Sequence, residues 1–334
     1  MATPGAAVPV TAADVLLLGA AGSSGHQVAW ELARRGASLH LAGRRPAPVA
    51  ALAGEIAGTG VAVAGLALDV TDPAAVRAAV EQVRVVVNTV GPFVRYAPAV
   101  LDACLATAVC YVDIANESTA VRGVLDRDAE AKDRGITAVT GAGFGPAGSE
   151  SLLLELVDAL AETPALVQVA TVPANTRVSQ GVRDTIAALL PEGATTYVDG
   201  VLHGGPFGTG ATVLTFGGAR RSMLPGPVGD LEAARVVSGA PNVNAYFADP
   251  AQRVDGDGCS YSYAEVIAAS GRRLAAQARV GDGVAAGAAV AAEVARRVLA
   301  GAPHGAWTPG RLFGAGLFRE ATGATVTRLA AEGV

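Results

Sequence analysis

The spacing richest in chemistry lies near the start of the chain, in Gly19-Ala20-Ala21-Gly22-Ser23-Ser24-Gly25. It follows a short apolar run, Val15–Leu18, and precedes a helical stretch from about His26 to Arg35 that Gly36 stops. In that setting G-x-x-G-x-x-G reads as a variant of a dinucleotide-binding turn. Gly19 permits the tight turn out of the strand, Gly22 lets a pyrophosphate approach the backbone, and Gly25 lets the helix pack closely. The helix N-terminus offers free N–H groups and a positive dipole end to phosphates, and Ser23 and Ser24 add hydroxyl donors. In a chain with 42 glycines such a triplet arises easily by chance, so the strand before it and the helix after it carry the reading. No Gly-Lys-Ser/Thr follows, which argues against a P-loop.

NAD-selective turns place an acid at the end of the second strand, roughly 20 residues on, to hold the ribose 2′-OH. Here that strand ends in Gly43-Arg44-Arg45-Pro46, with no acid. Two guanidiniums suit a 2′-phosphate, so NADP(H) is expected over NAD(H). Arg44 could instead stack on the adenine face, which would not discriminate. Asp69 ends the third strand, where side chains lie near the adenine. Asn88, Thr89, Gly91 and Pro92 follow the fourth, beside the expected nicotinamide ribose.

Candidates for the chemistry itself sit at the ends of strands four and five. Hydride transfer is mainly a positioning task, whereas a ketone or enone acceptor would also want a proton donor. Tyr96 could supply one. A carboxylate at Asp113 or Glu117 could stabilise a cationic iminium, which makes C=N reduction the leading expectation. Each has a structural reading too: Tyr96 packing at the domain edge, Asp113 capping a turn, Glu117 as a surface helix charge. There is no Tyr-x-x-x-Lys pair, and Lys132, the sole lysine, falls late in a helix. Cys104 reads as a small core residue, and His203 is a weaker candidate from the second half.

These residues need a scaffold, and the chain provides a regular one. Strands at 15–18, 38–42, 61–69, 84–88, 110–114 and 136–139 alternate with helices at 26–35, 47–57, 73 onward, 97–107 and 119–134. Strict alternation predicts an α/β fold: an N-terminal Rossmann-type, doubly wound parallel sheet. The pattern breaks at the Gly-rich stretch 141–148, read as a junction. Beyond it, helices near 149–161, 229–238 and 284–300 and strands near 165–172, 195–202 and 211–216 predict a second, α+β domain. The expected division is 13–148 for the dinucleotide domain and 149–334 for a substrate and dimerisation domain, with the C-terminal segment free to pack back on the first.

Composition narrows the classes. The 334 residues allow one large or two ordinary domains and a core that needs no staple. The net charge of −5 argues against a nucleic-acid partner, which leaves a basic footprint. Hydrophobic residues reach 51%, yet no apolar run is long enough to span a membrane, and the first residues read as a short flexible tail. Three cysteines without metal-type spacing imply neither disulfides nor a metal, and a reducing cytoplasm is the expected setting. The expected partner is a small-molecule substrate.

Gly19–Gly25, Val86–Phe93 with Tyr96, and Cys104 followed by Tyr111–Glu117 together resemble the saccharopine dehydrogenase-like superfamily of NAD(P)-binding oxidoreductases. The second half, at Gly229–Ala234, Pro241–Val243 and Thr308–Gly310, is similar to members known as trans-acting enoyl reductases. The resemblance implies a substrate domain on a mixed sheet, a homodimer through that sheet, and reduction of imines or of C=C bonds. An enoyl reductase is therefore the alternative to C=N reduction. A non-catalytic NADP-binding redox sensor is a third reading. The chain is shorter than saccharopine-forming enzymes, and no arginine clamp for an α-amino acid can be matched.

Overall fold

A computed structural model describes residues 13–174, 180–249 and 257–330; the tail expected at the start of the chain lies outside them. Six strands, β1 (Ala13–Leu18), β2 (Leu39–Gly43), β3 (Val63–Ala67), β4 (Val83–Asn88), β5 (Cys110–Asp113) and β6 (Thr137–Val139), form a parallel sheet in the order β3-β2-β1-β4-β5-β6. A seventh strand, Gly305–Trp307, pairs parallel with β6 and completes it. Side chains alternate across a strand, so β1 feeds two cores. Val15 and Leu17 pack with Val28 and Leu32 of the helix Ser23–Arg34, while Leu16 and Leu18 pack with Val76, Val100 and Leu101 on the other face. Burial on both faces is why the run is continuously apolar. The strand order reverses between β1 and β4, which opens the crevice where ligands of such sheets sit.

The second domain is a nine-stranded mixed sheet. Its central strand Leu166–Val172 runs parallel to Asn242–Ala248 and antiparallel to Ser260–Ile267. The helices Phe144–Leu160 and Gly229–Ser238 cover one face. The helix Gly283–Leu299 instead packs on Ser23–Arg34, β4 and β5, so the later part of the chain closes the first layer as well. Among the described residues no helix is long and apolar enough to cross a membrane.

Two expectations are corrected. The Gly-rich stretch 141–148 is not simply a junction, because Phe144–Gly148 forms the first turn of a buried 17-residue helix. Its glycines serve close packing: a Cβ on Gly148 would lie 2.3 Å from Ser262 Oγ. The stretch 119–134 is two helices, Ser118–Leu125 and Asp128–Asp133. A helix over Gln180–Leu189, and strands at Ala219–Pro225, Arg273–Val280 and Thr325–Leu329, add to the elements foreseen.

Candidate functional site

The glycine turn is built by close approach. Gly19 has φ +82°, and a Cβ there would lie 2.7 Å from Thr89 Oγ1. A Cβ on Gly25 would lie 2.1 Å from the Gly19 carbonyl oxygen, so the helix can start here only without one. Gly22 is the exposed N-cap of Ser23–Arg34, and no side chain caps this end. Its first-turn N–H groups are left for an acceptor, which fits a diphosphate. Ser23 is exposed and Ser24 half-buried beside it. Thr89 shapes the turn from behind. Its hydroxyl and its backbone N–H both donate to the Leu18 carbonyl, at 2.7 and 3.0 Å, and tie β4 to β1.

Beyond the turn lies a cavity of about 220 Å³, lined by Arg44, Asp69, Val70, Val90, Arg95 and Tyr96. Gly91 and Pro92 form part of its wall, and Asp184 of the helix Gln180–Leu189 reaches it from the second domain. Arg44 and Arg45 are exposed, and among the described residues neither makes a salt bridge. Arg45 is the N-cap of Pro46–Ala57. Asp69 Oδ1 accepts from the Thr71 N–H and hydroxyl, and those bonds, helped by nearby Arg44, hold its pKa below the usual carboxylate value. The Arg95 guanidinium lies 5.2 Å over the half-buried Tyr96 ring. Arg95 escaped the sequence reading because it lies inside a helix, where exposed arginines are ordinary.

The ends of β4, β5 and β6 are joined by a buried polar chain. Asn88 Nδ2 donates to the Tyr111 hydroxyl (3.3 Å), which donates to Asp113 Oδ2 (2.8 Å). Asp113 also accepts from the Thr140 hydroxyl and from the N–H groups of Ala115 and Gly141. Asp113 is fully buried, and burial raises its pKa while these bonds oppose the rise. It therefore does not face the cleft, and the expectation that it meets a cationic acceptor directly is corrected: both its oxygens are spent on the scaffold. Asn88 is likewise fully buried, with Oδ1 accepting from the Val90 N–H.

Glu117 does come to the seam between the domains. Its carboxylate accepts from the N–H of Phe93, first residue of the helix Phe93–Thr107, at 2.9 Å, and from the Asn116 N–H at 3.1 Å. Thr185 of the second domain donates to it at 3.3 Å. It is fully buried rather than a surface charge, and burial pushes its pKa up.

A residue absent from the sequence candidates completes the seam. The loop after β5 is zippered to the segment before the helix Gly229–Ser238: Gly229 N–H donates to the Asn116 carbonyl, and Ser118 N–H to the Pro227 carbonyl. That sets Asp230 beside Asn116. Asp230 is fully buried; its Oδ1 accepts from the Ser149 hydroxyl at 2.8 Å, and its Oδ2 has no hydrogen-bond partner. Asn116 Oδ1 has none either. Both oxygens lie within 3.1 Å of where a Cβ on Gly145 would stand, and Thr171 Oγ1 within 3.5 Å. Burial pushes the Asp230 carboxyl up to about 6. Gly229-Asp230 was visible as a matching stretch, but an acid at a helix start reads as a cap, and its missing partner shows only in three dimensions.

Among the described residues no group of three His, Cys, Asp or Glu side chains could hold a metal ion. The family model of the saccharopine dehydrogenase NADP binding domain matches residues 15–139. The sequence is 32% identical over 152 residues to a Mycobacterium tuberculosis protein provisionally named a trans-acting enoyl reductase, covering 45% of this chain and 36% of that protein. It is 29% identical over 134 residues to the trans-acting enoyl reductase of Mycobacterium ulcerans, covering 39% and 32%. The matches thus span about a third of these relatives' own length. Apo saccharopine dehydrogenase (L-Glu forming) of Saccharomyces cerevisiae superposes with a TM-score of 0.67 at 15% identity, over 95% of this chain and all of that one. Residues 15–139 thus match the saccharopine dehydrogenase NADP-binding domain model, and the chain shares the saccharopine dehydrogenase fold through both domains.

Proposed function

We propose that this chain is an NADP(H)-dependent oxidoreductase that reduces a C=N bond of a small metabolite held between its two domains. The observation that carries the reading is the pairing of a diphosphate-shaped glycine turn with a seam whose buried ionisable groups, Glu117 and Asp230, are acids. NADPH, when bound, supplies the hydride. The residues that would hold it are Gly19, Gly22, Ser23, Ser24 and Gly25 for the diphosphate. Arg44, Arg45 and Arg95 would meet the 2′-phosphate and adenine, with Asp69 beside them. Gly91 and Pro92 continue the wall, while Asn88 and Thr89 hold it from behind.

Reduction of an iminium consumes a hydride at carbon and moves the π pair onto nitrogen, so no proton has to be delivered in that step. What the protein must supply is orientation and a negative surrounding for the cation. Glu117 and Asp230 give that surrounding, and Asp113 keeps the strand ends rigid beneath it. Tyr96 lines the Arg44 cavity, so its part in this reading is to wall the cofactor.

Enoyl reduction is the second reading, favoured by the names of the sequence relatives. Single-turnover oxidation of NADPH, followed by its absorbance against panels of cyclic imines and enoyl thioesters, separates the two. Turnover of an imine supports the first, and turnover of enoyl thioesters alone replaces it. Tight NADPH binding with no oxidation by any substrate leaves a redox sensor.

A further inference from the structure

Resting on the reading above, we infer that Asp230 and Asn116 form a substrate subsite that accepts N–H bonds of a cationic amine or iminium. Two unpartnered oxygens converge on one spot, Asp230 Oδ2 and Asn116 Oδ1, with Thr171 Oγ1 close by. Buried acceptors are nearly always paired, and leaving one dry costs free energy. Two together call for a donor between them. A protonated amine or iminium meets that need with N–H donors and a positive charge; a carbonyl oxygen, an acceptor itself, does not.

The placement agrees. Asn116 follows β5 and Gly145 follows β6, at the carboxyl ends where ligands of parallel sheets bind. Asn116 as a residue is half-buried, while its Oδ1 and Asp230 Oδ2 are themselves buried. Ser149 holds the other Asp230 oxygen and fixes the carboxylate plane. Gly145 packs against the pair without a side chain, since a Cβ there would crowd Asp230 Oδ2 at 3.0 Å and Asn116 Oδ1 at 3.1 Å.

The test is calorimetric titration of the full chain, saturated with NADP+, with pyrrolidine, piperidine and cyclopentylamine as probes. At least one amine should bind, and Asp230→Asn should weaken it about tenfold or more, with the NADP+ Kd unchanged. The substitution is isosteric and keeps an acceptor for Ser149. Gly145→Ala should likewise block the amine and spare NADP+. Binding of none of the amines by the wild-type chain overturns the inference, as does equal binding by Asp230→Asn. Should both variants lose NADP+ through misfolding, Asn116→Leu, at a half-exposed position, decides: unchanged amine affinity overturns it. Failure of the wild-type chain to bind NADP+ at all would strike the cofactor reading instead.

Discussion

Asp113 and Asp230 are both fully buried aspartates near the ends of the parallel strands, yet they live in opposite circumstances. Asp113 accepts from Tyr111, Thr140, Ala115 and Gly141, so both its oxygens are spent. Asp230 has one side-chain partner, Ser149, and an oxygen with none. Burial alone says little about function, because a saturated acid is scaffold. An acid left short of donors is the one that something else completes. Arginines divide the same way: Arg122 and Arg235 are spent on Glu232, whereas among the described residues Arg44 and Arg45 make no salt bridge.

The comparison breaks most directly at Asp113. Asp113→Ala strands the Tyr111 and Thr140 hydroxyls and two backbone N–H groups in the interior, and should cost roughly 3–5 kcal/mol in urea unfolding. A loss below about 1 kcal/mol would mean Asp113 is not the staple described.

Asp230→Asn should move stability the other way. The raised pKa of about 6 means the folded state holds its proton more tightly than the unfolded chain, whose value is near 3.8. That contribution is complete below the unfolded pKa and is lost as pH rises through about 6. At pH 8 the variant, with no charge to bury, should therefore be more stable by up to about 3 kcal/mol, and the gain should vanish near pH 4. Destabilisation at pH 8 would place Asp230 with Asp113 among the scaffold acids.

For the arginines, replacing both Arg44 and Arg45 by Ala should raise the NADPH Kd by about 10- to 100-fold and the NADH Kd far less. An equal effect on both cofactors removes the 2′-phosphate assignment. Smallest should be Tyr96→Phe, which removes only the hydroxyl of a half-buried ring and should change the single-turnover rate by less than about threefold. A large loss would turn Tyr96 into a proton donor and favour the enoyl reading.

Much of the first domain was legible because its signals are local. The Gly19 turn, the helix start at Pro73 and the arginines after β2 each depend on neighbours a few residues away; at Pro73 the preceding Asp72 Oδ1 accepts from the N–H groups of Ala74 and Ala75. The fate of Asp113 was half legible. Tyr111 lies two residues before it, on the same strand face, but Asn88 and Thr140 reach it only through strand pairing. The second sheet was least legible. Ser260–Ile267 is buried on nearly every residue, so no alternation marks it as a strand, and one of its two partners, Leu166–Val172, is far away in sequence. The Asp230 site shares that difficulty, since Asn116, Gly145, Thr171 and Asp230 meet only when both domains have formed.

The strand Gly305–Trp307 ties the history of the first sheet to the end of the chain. Thr137 of β6 pairs with Gly305, so during synthesis the outer edge of the dinucleotide domain waits for about 165 further residues to emerge before it is covered. Until then β6 presents a row of unpaired backbone groups, the kind of edge on which nascent chains pair wrongly. Glu150 then clamps the late segment, accepting from the N–H groups of Gly310 and Arg311 and from the Thr308 hydroxyl. The dinucleotide domain is thus made well before the strand that finishes its sheet.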